Sequence, residues 1–168
     1  MIRSKRVSPT TPERVSAPRP KRVNAPRPKK VVAIDWTALE HAAFTARKKA
    51  YAPYSSYHVG AALLVASGRV FTGCNVENAS YGLCLCAERN AIGQMVASGA
   101  RDPIALVVAT DGPKPGSPCG MCRQVLSEFA PKMPVRLVVE GAPRKTRKTD
   151  VASLLPDAFR PADLLERK

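Results

Sequence analysis

The chain has 168 residues, the length of one ordinary domain, and its apolar content of 45% suffices for a single core. No apolar run approaches the length of a membrane span and no stretch near Met1 resembles a secretory signal, so neither a membrane protein nor a secreted one is predicted. The formal net charge of +14 is concentrated at one end: residues 1–30 hold ten Lys and Arg against one acid, Glu13, leaving the remainder only moderately basic.

That basic stretch repeats itself, with Ala17-Pro18-Arg19-Pro20-Lys21-Arg22-Val23 followed by Ala25-Pro26-Arg27-Pro28-Lys29-Lys30-Val31. Alternating proline blocks helix and sheet ladders, and like charges favour an extended chain. Residues 1–34 are therefore expected to be a disordered Pro/Arg/Lys-rich tail, and residues 35–168 the folded domain. Three readings of the tail stay in view: a solvated extension without a catalytic part, an arm, residues 1–30, that binds polyanions weakly, and an organelle transit peptide, whose usual amphipathic helix this proline density forbids.

Beyond the tail, Thr37-Ala38-Leu39-Glu40 has capping-box spacing, and Leu39, Ala43, Ala46 and Ala50 recur at helical intervals. A first helix is expected from Thr37 to Ala50, with Pro53 ending it. Val59 to Ala66 and Val70 to Cys74 read as a hairpin around Ser67-Gly68-Arg69. A loop through Tyr81 leads to a helix from Cys86 to Ser98, with Gly99 as its stop. Ile104 to Ala109 is a continuous apolar run, the pattern of a strand buried on both faces. A further helix is expected from Cys119 to Phe129, with Ser117 as N-cap and Pro118 at its first position. Val135 to Glu140 reads as a strand and Arg144 to Thr149 as a weaker edge strand. Strands alternating with helices imply a layered α/β domain.

The chemistry lies in Cys86-Ala87-Glu88 and Pro118-Cys119-Gly120-Met121-Cys122. Cys119 and Cys122, three apart, share one helix face and can grip one ion, with Cys86 as the third ligand. Neither His41 nor His58 has ligand-like spacing to them, so a fourth protein ligand is missing and one metal position stays open for water. This is the pattern of a catalytic zinc centre, one Zn2+ per chain, and not of a structural one. Glu88, two residues after Cys86, projects in a different direction around the helix, which suits a carboxylate that does not ligate the metal. Both segments open helices, whose positive ends favour thiolates. Three thiolates leave a zinc cluster at a formal charge of −1, and a nearby cation is needed to offset it. With five cysteines and a thiolate site, a reducing compartment, the cytoplasm, is expected.

The spacing of a Cys, a non-ligand Glu and Pro-Cys-x-x-Cys is that of the zinc deaminases. With Ala52-Pro53-Tyr54-Ser55, Val59-Gly60-Ala61-Ala62-Leu63, Gly73-Cys74-Asn75-Val76-Glu77-Asn78-Ala79-Ser80-Tyr81-Gly82, Cys86-Ala87-Glu88-Arg89 and Ser117 through Leu126, followed by Leu154-Leu155-Pro156-Asp157-Ala158-Phe159, the chain resembles the small homotetrameric cytidine deaminases from Asp35 onward. The resemblance implies a three-layer fold with a mixed sheet of five strands and helices on both faces. It also implies hydrolytic deamination of cytidine and deoxycytidine to uridine and deoxyuridine, releasing ammonia, for pyrimidine salvage. Glu88 then takes a proton from the attacking water and returns it to N3 of cytosine and to the leaving ammonia. Arg89 matches the arginine set against the ligand sulfurs. Asn75 and Glu77 bracket the ribose 3′-hydroxyl, Ala79 belongs to the same substrate loop, Tyr81 contacts the sugar, and the backbone of Ala87 reads the pyrimidine edge. Tyr57 stands where the family often has Phe, and Phe159 matches an aromatic lent by a neighbouring subunit. Two other classes remain in view: a polynucleotide deaminase guided by the tail, and a non-catalytic zinc or nucleic-acid binding module.

Overall fold

The computed structural model describes residues 32–140 and 146–165, so the expectation for the basic tail lies outside the described residues except at its last three positions. The described chain runs α1 (Trp36–Arg47), β1 (Val59–Val65), β2 (Val70–Cys74), a 3-10 turn (Tyr81–Leu83), α2 (Ala87–Ala97), β3 (Pro103–Thr110), α3 (Gly120–Phe129), β4 (Pro134–Val139), β5 (Arg147–Asp150), α4 (Val151–Leu154) and α5 (Pro161–Leu165). Five strands form one sheet in the order β2-β1-β3-β4-β5, with β3 and β4 parallel and the other neighbours antiparallel. The expected five-stranded mixed sheet is what forms.

Period-two alternation divides the core between the two faces. Ala61, Leu63 and Val65 of β1, with Leu106, Val108, Val135 and Leu137, meet Ala91, Ile92 and Met95 of α2 and Leu126 of α3. The intervening residues Ala62, Leu64, Ala105, Val107 and Ala109 meet Leu39 and Ala43 of α1 on the opposite face. The central strands β1 and β3 are almost wholly apolar because both of their faces are covered, which makes the domain three-layered. Glycines permit the closest approaches. A Cβ on Gly60 would collide with the α1 backbone at Ala43 and Arg47, and one on Gly73 with the α2 backbone at Ala87 and Ala91. Gly73 thus lets the start of α2, where the metal segment lies, settle directly on β2.

Several boundaries differ from the sequence expectation. The N-cap of α1 is Asp35, whose carboxylate accepts from the Ala38 N–H at 3.0 Å, so Thr37 lies inside the helix. Asp35 offers a fixed acceptor two residues earlier, and the helix takes it. At its other end α1 stops at Arg47, well before Pro53, because Tyr51 leaves to bridge with Val76. Arg47 is held there by Asp111 and Glu140, while Asp111 also accepts from the His58 backbone at 2.8 Å and pairs with its ring at 2.7 Å. The cap of α3 is Cys119 and its first residue Gly120, so Ser117 and Pro118 precede the helix. Cys119 is extended (φ −66°, ψ 166°) and its sulfur makes no capping bond. The edge strand begins at Arg147, with residues 141–145 outside the described residues. The single-turn α4, capped by Asp150 through the Ser153 N–H at 2.7 Å, and α5 were not expected from the sequence.

Candidate metal centre and active site

The two metal segments meet at the helix ends facing the same side of the sheet. Cys86 is the N-cap of α2, Cys119 the N-cap of α3, and Cys122 lies in the first turn of α3. Their sulfurs all lie within 4.8 Å of one another, and Cys86 Sγ is 3.7 Å from Cys119 Sγ. Sulfurs held about 2.3 Å from a tetrahedral zinc lie about 3.8 Å apart, so the spacing fits that ion. Both helix N-termini direct unpaired N–H groups and positive potential toward the cluster. The trio is the only such group of metal-ligating side chains among the described residues.

The Cys86 and Cys122 thiols differ in their hold on protons. Hydrogen bonds from Cys122, above all, and from Cys119 and Arg89 pull Cys86 down to about 5 against its burial. The Cys122 thiol is pushed the other way, by its bond to Cys86, by burial and by the charge of Glu88. A metal must therefore displace the Cys122 proton. Zinc binding near neutral pH is expected to release at least one proton per site, and apparent affinity should rise with pH. Calorimetry in buffers of different ionisation enthalpy reads this directly; an affinity unchanged between about pH 6 and 8 would contradict it.

Glu88 is buried, 4% exposed, beside the sulfurs at the floor of a cavity of about 290 Å³. Burial raises its pKa, and the neighbouring Cys86 charge adds to the effect. Such a carboxyl keeps its proton further up the pH scale, the property required of a group that both accepts and donates near neutrality. Arg89, one residue on, donates to the Cys84 carbonyl at 2.6 Å and has Nη2 4.0 Å from Cys86 Sγ. It stands where a cation offsets cluster charge, although the first turn of a helix is an unfavourable place for one.

The same cavity is lined by Tyr57, Asn75, Glu77, Ala87 and Cys119 of the predicted site, together with Ser55, Val108, Thr110 and Ser117. Asn75 is bound on both sides of its amide, donating to the Tyr57 carbonyl and accepting from the Val59 N–H, each at 2.8 Å. One N–H and one lone pair remain for a ligand. Glu77 accepts from the Tyr54 N–H at 2.9 Å, the Ser55 N–H at 3.2 Å and the Ser55 hydroxyl. These bonds, the Ser55 hydroxyl first, lower its pKa and fix it as a carboxylate at the rim.

Other predicted residues lie away from this cavity within one chain. Ala79 is exposed, and Tyr81 lines a neighbouring cavity of about 180 Å³ with Tyr54, Ser55, Glu77 and Cys84. Tyr81 is 78% exposed and Phe159 57%, the latter's carbonyl accepting from Gln124 at 2.7 Å. Cys122, fully buried, sits behind the cavity wall. Thr110 and Arg123 were not singled out from the sequence. Thr110 closes a strand that reads only as buried core, and its Oγ1 accepts from the Gly116 N–H at 2.9 Å. All five cysteines are free thiols.

Residues 35–138 match the model of the cytidine and deoxycytidylate deaminase zinc-binding region. A cytidine deaminase of Sporosarcina psychrophila is 48% identical over 121 residues, which is 71% of this chain and 87% of the relative. A cytidine deaminase of Mycobacterium tuberculosis is 44% identical over 131 residues, covering 78% and 94% of the two chains. The crystal structure of cytidine deaminase from Burkholderia pseudomallei superimposes with a TM-score of 0.71 at 49% identity, covering 75% of this chain and all of that one. With the Cys86, Cys119 and Cys122 cluster in place beneath its cavity, this chain belongs to the cytidine deaminase family, and the cluster is its zinc-binding site.

Proposed function

We propose that the protein is a zinc-dependent cytidine deaminase acting on the free nucleosides cytidine and deoxycytidine. The observation that carries this is the convergence of three metal-ligating sulfurs and a buried carboxylate at one small cavity, lined by Cys86, Glu88 and Cys119 with Cys122 behind its wall and rimmed by Asn75 and Glu77. Bound there, zinc supplies a Lewis acid that makes a water nucleophilic near neutral pH. Glu88 accepts one proton from the attacking water and delivers it to N3 of the pyrimidine, then accepts the second proton from the hydroxyl that the water has become on C4 and passes it to the departing ammonia. Its burial excludes bulk water from that transfer. Arg89 and the two helix N-termini hold charge away from the sulfurs.

At the rim, the free N–H of Asn75 and the Glu77 carboxylate offer a donor and an acceptor to the ribose 3′-hydroxyl. Tyr57 walls the base and the Ala87 backbone faces the pyrimidine edge. A cavity of about 290 Å³ suits one nucleoside, at the lower limit of ordinary ligand pockets. A carboxylate closing over a 3′-hydroxyl leaves a polynucleotide no exit. The deciding assay is loss of cytosine absorbance on incubating purified protein with cytidine, with zinc content measured on the same sample. A zinc-loaded preparation inactive on both nucleosides would refute the proposal.

The exposed Tyr81, Leu83, Met121 and Phe159 favour association, and the family resemblance a homotetramer, in which Tyr81 and Phe159 complete sites across subunit contacts. Phe159→Ala is then expected to cut turnover at least about tenfold while each chain keeps its zinc. Unchanged turnover in that variant would leave Phe159 without a part in the site. The family resemblance and the thiolate cluster favour the cytoplasm, and no helix among the described residues is long and apolar enough to cross a membrane.

Residues 1–30 offer charge without an apolar face to pack on the domain. Deleting them is expected to leave cytidine turnover within about twofold and to remove whatever weak, salt-sensitive affinity for RNA or DNA the full chain shows. A tenfold loss with zinc intact would mean that the tail reaches the active site.

A further inference from the structure

Arg123 follows the ligand Cys122 in α3, yet its guanidinium turns back toward the approach to the other ligand of that helix. Nε donates to the Pro118 carbonyl at 2.7 Å and Nη2 to the Ser117 hydroxyl at 3.2 Å. The remaining arm, Nη1, reaches the Leu154 carbonyl at the end of α4, at 2.9 Å. These acceptors lie in three directions, which the flat, multiply donating guanidinium can satisfy together and an ammonium cannot.

The two ligands of α3 are held very differently. Cys122 is fully buried and fixed by the core around it. Cys119 is exposed, precedes the first helical residue, and makes no capping bond with its side chain. Its position depends on the backbone that delivers it, and the Pro118 carbonyl belongs to the same planar peptide as the Cys119 N–H. Holding that carbonyl therefore fixes the plane from which the Cys119 side chain departs.

We propose that Arg123 is a positioning residue for the metal: by gripping the 117–118 backbone and side chain, it holds the exposed Cys119 sulfur in ligating register with Cys86. This rests on the zinc assignment of the three cysteines. Residues that orient a metal ligand typically govern affinity by about 10–100-fold. Gln124 provides an internal control, because it ties the same C-terminal segment to α3 through the Phe159 carbonyl without touching the 117–118 turn.

The test loads the parent protein, R123K, R123Q and Q124M with zinc, then follows release into excess chromogenic chelator well below the unfolding temperature. R123K is expected to release zinc at least about tenfold faster than the parent, R123Q at least as fast as R123K, and Q124M within about twofold of the parent. If R123Q does not fold, R123K, which keeps the charge and the aliphatic stem, decides. Release from R123K within twofold of the parent would overturn the proposal. So would equal acceleration in Q124M, which would assign the effect to bracing of the C-terminal segment. A parent that binds no zinc would instead refute the metal assignment itself, a separate outcome read before any variant is compared.

Discussion

Glu88→Gln is expected to keep its zinc and its fold while losing turnover by at least ~10²–10⁴-fold, the usual contribution of a positioned general acid–base. Gln has nearly the same shape and can hydrogen-bond, but cannot carry a proton between water, ring nitrogen and leaving group. The site gives physical grounds for so large an effect. Glu88 is buried against the sulfurs, so bulk water cannot easily substitute for it, and burial raises its pKa. The fold should tolerate the change, since a neutral amide costs less to bury than a carboxylate. Steady-state turnover per bound zinc is the measurement, and a variant keeping a third of the parent rate would remove Glu88 from the proposed role.

Loss of a ligand should act on stability as well as activity. Cys119→Ala or Cys122→Ala is expected to abolish stoichiometric zinc and turnover, because two sulfurs cannot hold the ion as three do. The metal joins the starts of α2 and α3, and a ligand bound only by the folded state stabilises it. At a thousand times its Kd that contribution is about 4 kcal/mol, roughly 10 °C in melting temperature for a domain of this size. Cys122→Ala should melt lower than Cys119→Ala, since Cys122 is fully buried and leaves a void while Cys119 is exposed. Elemental analysis and thermal unfolding with and without chelator check each step. One zinc per chain in either variant would refute the ligand assignment. A chelator that leaves the parent's melting temperature unchanged would refute the stabilising role.

Local pattern was a reliable guide wherever one short segment carried the whole signal. The continuous apolar run at Ile104 to Ala109 meant burial on both faces, and β3 lies at the centre of the sheet between α1 and the α2/α3 layer. The Cys-x-x-Cys spacing meant two sulfurs for one ion, and they meet Cys86 although Cys119 caps α3 in extended backbone and shares no helix face with Cys122; Gly99 after Ser98 meant a helix stop, seen in its positive φ of 86°. Arg89 is instructive because it breaks a local rule. A cation in the first turn of α2 opposes the helix dipole, and its place makes sense only beside thiolates.

Local spacing misleads where another group, near or distant in sequence, competes for the same partner. Thr37 has cap spacing, but Asp35 takes the cap, and α1 ends early because Tyr51 is drawn to Val76. Ser117 reads as a cap for α3, yet it is recruited by Arg123 while Cys119 takes the cap position without bonding. The pairing of Arg47 with Asp111 and Glu140 joins parts of the chain whose spacing carries no periodic signal. The metal ligands, the non-ligating carboxylate and the order of helices and strands are all consequences of short-range spacing and side-chain chemistry, so they can be read along the chain. The cavity, the burial that raises the Glu88 pKa and the fixing of Asn75 and Glu77 depend on which surfaces the sheet brings together. Those surfaces come from segments far apart in sequence, whose mutual distance no local periodicity encodes.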